Sequence, residues 1–415
     1  MDPRRALELA EDSREELFGL LEALVAAPSP YGAAAREAQE RLGGYLERNG
    51  FAVATGEDSW EPLRDHPEFS PPPPEIESPV NLVATPPGGP PLTFFAHVDT
   101  ETPSAGWSSP PTQATVRDGR VYGLGAADDK GGLAAAAVAA ALLARDSGTA
   151  PRVASVHGKG GGARGTLPVF ARMVAGDSIY VHPPENGAGL GVLKSASRGV
   201  VDLHLRVTGW SGRPREIGTP ESAPFGEGGD ALAACLRWVE RLRRGELSDC
   251  EINLGRVVAG KSAGLTPVRC EADARVLFRG KSTVHGVLEA FRRAAEDSPE
   301  GSSGGRFGFE ATAPGLRANP AETGWDDSLA VELRSAVAGI TGQEPGPYAD
   351  HLASDVRFPM RLWGAASLGI GSLGGNFYGP DEWVDCDDLV RLVAVLVLVG
   401  HCPRRSSVHR PAISV

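Results

Sequence analysis

Four short apolar runs, VNLVAT (80–85), PLTFFAHV (91–98), PRVASVH (151–157) and DSIYVH (177–182), are separated by stretches of helical character such as 131–146 and 166–175. Runs of this length read as strands, and their alternation with helices is the rhythm of a largely parallel sheet covered by helices, an α/β fold. The preceding segment fits the same scheme, with helix-period stretches at 4–25 and 33–49 and a short strand, FAVAT. Near residue 199 the rhythm changes to VVDLHLRVTGW, a helix at 229–244, CEINLGRVVAG, VRCEADARVLF and a helix at 283–296. Strand, helix, strand, strand, helix describes an α+β sandwich set into the chain. After about residue 313 the first rhythm returns through DDSLAVELRSAVAGITG, AASLGIGS and a terminal helix at 386–400. The expected organisation is a discontinuous α/β domain, 1–198 with 314–415, and an inserted domain, 199–313. A chain of 415 residues is long enough for two cores. HPEFSPPPPEIESP (66–79) and DSPEGSSGGR (297–306) read as loops, since consecutive prolines cannot join a helix or a central strand.

A formal net charge of −12 argues against nucleic acid or an anionic membrane as partner. The longest apolar run, GGLAAAAVAAALLA (131–144), falls well short of the ~20 residues of a membrane span. The opening MDPRRALELAEDSREELF reads as an amphipathic helix and lacks a signal peptide's unbroken apolar stretch. Five scattered cysteines without CxxC spacing suggest neither a disulfide framework nor structural zinc, and fit a reducing cytoplasm. Only five lysines stand among 36 arginines, so each lysine draws attention.

One of them sits in VHGKGGGARGT (156–166). A phosphate-binding loop places its lysine after the glycines and directly before Ser or Thr. Here Lys159 comes first, so the nucleotide reading fails. His97 and Asp99 close an apparent strand two residues apart, on one side of it, where an acid can orient an imidazole, as beside a metal. Asp128 and Asp129 precede a helix, which acidic residues favour as caps.

Taken together, HVDT and DGRVYGLGAADDKGG resemble the first half of the M20 family of zinc-dependent peptidases and deacylases, which includes carboxypeptidases, aminoacylases and ArgE/DapE-like enzymes. The resemblance implies a zinc-binding α/β domain with an inserted lid or dimerisation domain of ferredoxin-like topology, hence a homodimer. It makes His97 a zinc ligand, Asp99 its orienting partner and Asp128 the carboxylate that bridges two ions. The rest of the family's pattern departs. Its Glu-Glu pair, general base and ligand, falls on Lys159 and Gly160; the glycine loop at 156–166 is thus a converted catalytic loop. Its next carboxylate falls on Pro183 in GDSIYVHPPENG, with His182 and Glu185 nearby, and its last histidine on Tyr378 in NFYGPDEW, where Glu382 remains. In the inserted domain Arg213 replaces a histidine and Gly264 an asparagine, while ADAR with Arg275, and SDVR (354–357), persist.

Catalytic zinc needs about three protein ligands, and only His97 and Asp128 remain in place. An ammonium at 159 is repelled by Zn²⁺ in a water-poor cleft but pairs with Asp128 and Asp99. The expected site therefore contains no cofactor. His97, Asp99, Asp128, Lys159, His182 and Tyr378 are its catalytic groups, and Arg213, Arg275 and Glu185 bind a small substrate bearing an amide or carboxylate. Three readings follow: a metal-independent enzyme performing condensation, cyclisation, acyl transfer or isomerisation; a zinc exopeptidase or deacylase, using His97 and Asp128 with replacement ligands such as His182, Glu185 or His157; and a non-catalytic binding protein.

Overall fold

The computed structural model describes residues 1–71, 78–88, 92–159, 161–162, 164–210, 222–224, 228–298 and 306–402. Most of the segment 297–306, part of the Pro-rich loop and the whole of Arg213 lie outside them. The chain forms two compact units, Met1–Ser197 with Ala321–Val415, and Arg198–Pro320.

The first unit opens with helices α1 (Pro3–Asp12), α2 (Arg14–Val25) and α3 (Arg36–Arg48). The stretch expected as one helix over 4–25 is broken at Ser13, whose backbone leaves the helical region (φ −99°, ψ 11°) while its N–H returns to Ala10 and Glu11. Strands β1 (Ala52–Glu57), β2 (Val80–Thr85) and β3 (Leu92–His97) precede α4 (Lys130–Ser147). Then come β4 (Arg152–Val156), α5 (Thr166–Arg172), β5 (Asp177–Val181) and β6 (Val192–Lys194).

The second unit contains β7 (Gly199–Thr208), α6 (Ala231–Arg244), β8 (Glu251–Ala259), β9 (Arg269–Phe278), α7 (Val284–Glu296) and β10 (Gly308–Thr312). The chain returns to the first unit with α8 (Ser328–Thr341), β11 (Gly346–Tyr348), α9 (Arg357–Trp363), β12 (Ser367–Ile370) and α10 (Cys386–His401).

The first unit's eight-stranded sheet has the order β1-β2-β4-β3-β5-β12-β6-β11. Its centre, β4-β3-β5-β12, is parallel, while β1-β2, β2-β4 and β12-β6 are antiparallel. Successive strand residues face opposite ways, and here both faces are buried. Phe94, Ala96 and Ile179 join the core that contains α4 and α10, whereas Phe95, Ala154 and Tyr180 join a second core with Phe170 of α5 and Phe358 of α9. Each buried Phe contributes roughly 1.5–3 kcal/mol of transfer free energy. Two covered faces explain why these strands read as continuous apolar runs.

In the second unit the order is β8-β9-β7-β10, with each neighbouring pair antiparallel. Two helices and four strands in that order form the ferredoxin-like arrangement. Alternate residues of β7, Val201, Leu203, Leu205 and Val207, build its core with Trp238 and Phe291, and the Trp238 indole N–H donates to the Phe291 carbonyl at 2.8 Å.

Candidate active site at the carboxyl ends of the parallel strands

Open α/β sheets bind ligands beyond the carboxyl ends of their strands. Here β3 ends at His97, β4 leads into Lys159 and β5 into His182, while Asp128 and Asp129 precede α4. All five side chains are wholly or nearly buried. Asp128 is their centre: its Oδ1 lies 2.6 Å from His97 Nε2 and 3.4 Å from His182 Nε2, and its Oδ2 lies 3.7 Å from Lys159 Nζ. The Lys159 ammonium also approaches Glu101 (3.9 Å) and stands 4.1 Å from the centroid of the Tyr378 ring.

Burial raises the cost of a charge on Asp128, but Lys159, His182 and His97 hold its pKa well below the ordinary carboxylate value. Burial likewise opposes a charged His97, yet the neighbouring Asp128 carries this imidazole up to about 9. Burial pushes Asp129 well up, outweighing the opposing His97 charge, and the neighbouring Asp128 charge adds to the rise. Burial together with the Lys194 charge drives His182 down to about 3. At neutral pH the centre therefore holds a carboxylate at 128, an imidazolium at 97 and a neutral imidazole at 182. Tyr378 is 47% exposed as a residue, but the local desolvation of its hydroxyl and then the Asp128 charge raise the phenol, keeping it a hydrogen-bond donor.

Two expected partnerships are corrected. Asp99 does not orient His97 through its carboxylate: His97 Nδ1 is 2.9 Å from the Asp99 backbone carbonyl and 3.5 Å from Oδ1. The Asp99 carboxylate instead accepts the backbone N–H groups of Gly158 and Lys159 at 2.9 and 3.2 Å. Asp99 therefore holds the loop that presents Lys159, and Lys159's side-chain ion pairs are with Asp128 and Glu101. Asp129 occupies the N-cap position of α4 without a side-chain capping bond; its Oδ2 accepts the His97 N–H at 3.2 Å. His157 turns away, its Nε2 3.2 Å from the Ala34 carbonyl, and the Lys130 ammonium donates to the Ala27 carbonyl at 2.8 Å.

Gly158 and Gly162 of the 156–166 loop serve close packing. A Cβ on Gly158 would come within 2.8 Å of Asp355 Oδ2 and of His97 Cβ, and one on Gly162, at φ +70°, within 2.7 Å of Asp355 Oδ1. Arg357, wholly buried, donates to the Gly161 carbonyl at 2.7 Å and lies 3.6 Å from Asp355. Thr166 donates to Asp355, whose burial raises its pKa to about 6. The SDVR segment thus braces the loop. On the opposite side Glu382 accepts the N–H groups of Gly125, Ala127 and Asp128 at 3.0, 3.0 and 2.8 Å, which fixes the turn that delivers Asp128.

Lys194 and His351 were not identified from the sequence. Lys194 Nζ lies 2.6 Å from His182 Nδ1, 2.8 Å from His351 Nδ1 and 3.1 Å from Glu185 Oε1. Tyr348 pairs with Lys194 across β11 and β6, and the chain then turns to bring in His351. The scarcity of lysine was a usable signal for residue 194; nothing local marks His351. Glu185 takes part in this cluster, with burial opposing its charge but Lys194 and His351 holding its pKa far down. Arg275 belongs to the second unit, where its guanidinium forms a two-bond pair with Asp202 at 2.6 and 2.7 Å.

Two trios among the described residues have metal-ligand chemistry, His97–Asp129–His182 and His182–Glu185–His351, each with ligating atoms within 4.8 Å of one another. They share His182, and Lys194 already sits on all three donors of the second. With Lys194 in place the second trio's donors are taken, so the residues do not fit a two-metal centre, and the first trio is the one open to a single ion.

Residues 93–399 match the family described as Peptidase family M20/M25/M40. A succinyl-diaminopimelate desuccinylase of Gluconacetobacter diazotrophicus is 27% identical over 321 residues, 74% of this chain and 80% of that protein. An N-acetyl-L-citrulline deacetylase of Xanthomonas campestris pv. campestris is 29% identical over 328 residues, 74% of this chain and 80% of the relative. Among solved structures, the aminopeptidase PepT of Bacillus cereus superposes with a TM-score of 0.69 at 17% identity, covering 93% of this chain and 98% of that one.

Proposed function

This chain belongs to peptidase family M20/M25/M40, and from that premise we propose that it is an enzyme of amide chemistry whose catalytic positive charge comes from protein cations in place of zinc. The observation that carries the reading is the Lys159 ammonium, 3.7 Å from Asp128 Oδ2, at the sequence position where the resemblance places a general-base glutamate. Two protonated groups, Lys159 and His97, meet on one carboxylate, and the Tyr378 ring lies against the first. Preorganised donors of this kind stabilise charge that develops on a carbonyl oxygen, and an imidazolium also acts as a general acid. With lysine in place of the base that would activate water, the site favours condensation, cyclisation, acyl transfer or isomerisation over hydrolysis. The substrate class is a small amino-acid or acyl-amide compound bearing an amide or carboxylate, with Glu185, Arg275 and Arg213 as candidate substrate contacts. We place the enzyme in the cytoplasm as a homodimer.

A second reading rests on the His97–Asp129–His182 trio: one zinc ion held there, with hydrolysis of an N-acyl amino acid, the type of substrate named for the desuccinylase and deacetylase relatives. Metal analysis of the purified protein, before and after chelation, combined with turnover of N-acyl amino acids and their free-acid and amine components, separates the two. The metal-free reading expects no stoichiometric metal, turnover insensitive to chelator, and a loss of about 10²–10³-fold in kcat/KM for Lys159→Ala and His97→Ala. Stoichiometric zinc whose removal abolishes amide hydrolysis and whose return restores it would establish the second reading instead.

A further inference from the structure

We infer that Lys194 is a resident cation filling a metal-type donor set, so that its ammonium occupies the place a divalent ion would take between His182, Glu185 and His351. The inference deepens the metal-free reading above, and rests on it only for its bearing on catalysis.

Two imidazole nitrogens and a carboxylate oxygen form a zinc donor set of the His₂Glu type. Here the three donors converge on Lys194 Nζ at 2.6, 2.8 and 3.1 Å, hydrogen-bond lengths rather than the ~2.0–2.2 Å of zinc bonds. His351 Nδ1 and Glu185 Oε1 also lie within 2.9 Å of each other, closing the set around the ammonium. His182 Nδ1 stands 2.6 Å from Lys194 Nζ and 2.8 Å from the Pro183 carbonyl, while its Nε2 faces Asp128 Oδ1 at 3.4 Å. The cluster therefore joins directly to the carboxylate that Lys159 and His97 share.

The backbone is shaped for this lysine. Gly369 of β12 pairs with Lys194, and a Cβ at 369 would stand 2.8 Å from Lys194 Cβ and 2.9 Å from Cδ. Glycine clears the path along which the aliphatic stem crosses the sheet to its three partners, and the side chain ends fully buried. The ammonium sheds its hydration once, on folding, and a divalent ion competing for the same donors must displace it against Coulomb repulsion.

Removing the cation should therefore uncover a metal site. The probe is Co²⁺, whose visible absorption reports coordination by nitrogen and oxygen donors, added to the full chain after chelation. Lys194→Ala is expected to bind one equivalent at least about a hundredfold more tightly than wild type, and the double variant Lys194→Ala/His351→Ala to lose that gain. Lys194→Leu, which retains apolar bulk, repeats the measurement if the alanine variant unfolds. A folded Lys194 variant that binds Co²⁺ no better than wild type overturns the inference, as does wild-type binding that His351→Ala abolishes. Wild-type binding that survives His351→Ala belongs to His97–Asp129–His182 and counts against the metal-free function; the comparison between the Lys194 single and double variants still decides the present inference.

Discussion

At the residue scale the site is an exercise in matching buried charges. Asp128, wholly buried, is sustained by an ammonium and an imidazolium, because an unpaired carboxylate there would cost several kcal/mol. Asp355 shows the opposite outcome: burial outweighs the nearby Arg357, and its pKa rises to about 6. Its folded form holds a proton that the unfolded chain, near 3.8, has already released. Asp355 therefore contributes most stability below the unfolded value, and that contribution is lost as pH rises through about 6, on the order of 3 kcal/mol in all. Urea unfolding of wild type and Asp355→Asn at pH 4 and pH 7.5 tests this. Asparagine keeps an acceptor for Thr166, so the variant should gain relative to wild type at the higher pH. An unchanged difference between the two pH values would show that Asp355 ionises normally. Cys235, Cys250, Cys270 and Cys386 form no disulfide.

At the scale of elements, the start of α4 is the part with least room for change. The helix is buried from Lys130 to Leu143, and alanine along most of that length lets it pack closely between the sheet and α10. The first turn comes closer still. A Cβ on Gly132 would collide with the Val181 carbonyl at the end of β5 and stand 2.5 Å from Asp129 Oδ1. Since neither backbone can retreat without moving a catalytic loop, Gly132→Ala should destabilise the protein by about 1–3 kcal/mol, the usual cost of overpacking. It should also reduce turnover, because Val181 precedes His182. Thermal unfolding and activity are the measurements; wild-type stability would mean that the helix and strand are less tightly seated than the structure shows. The α4 and α10 helices were legible from their apolar runs, as were β2 to β5. Helix ends were not: the break at Ser13 and the late start of α3 at Arg36, after a left-handed Ala35 (φ 57°), depend on how neighbouring segments satisfy the backbone.

For the whole molecule, the two units each have a core. That of Arg198–Pro320 is built from four strands and two helices with Trp238 and Phe291 buried at its centre. At 123 residues, Arg198 to Pro320, it is within the size range of independently folding domains. The fragment 198–320 should therefore give a cooperative unfolding transition alone, and calorimetry of the full chain should show more than one transition. A fragment lacking dispersed native-like spectra would demonstrate that its core depends on the first unit. No helix among the described residues is long and apolar enough to cross a membrane.

The sequence by itself determined the family, the α/β and α+β rhythms, and the identity of the groups around Asp128. Strand and helix periodicity is local, and HVDT with ADDK lies within short segments whose roles follow from position. Only the tertiary structure decided which groups meet. His182 faces Asp128 from a neighbouring strand end, and Asp99 holds the Lys159 loop through its carboxylate and meets the His97 ring through its backbone carbonyl. Lys194 and His351, 157 residues apart, meet because β6 and β11 pair and Gly369 leaves room. Electrostatic neighbourhoods are set by distances of a few Å across the fold, and no spacing along the chain encodes them.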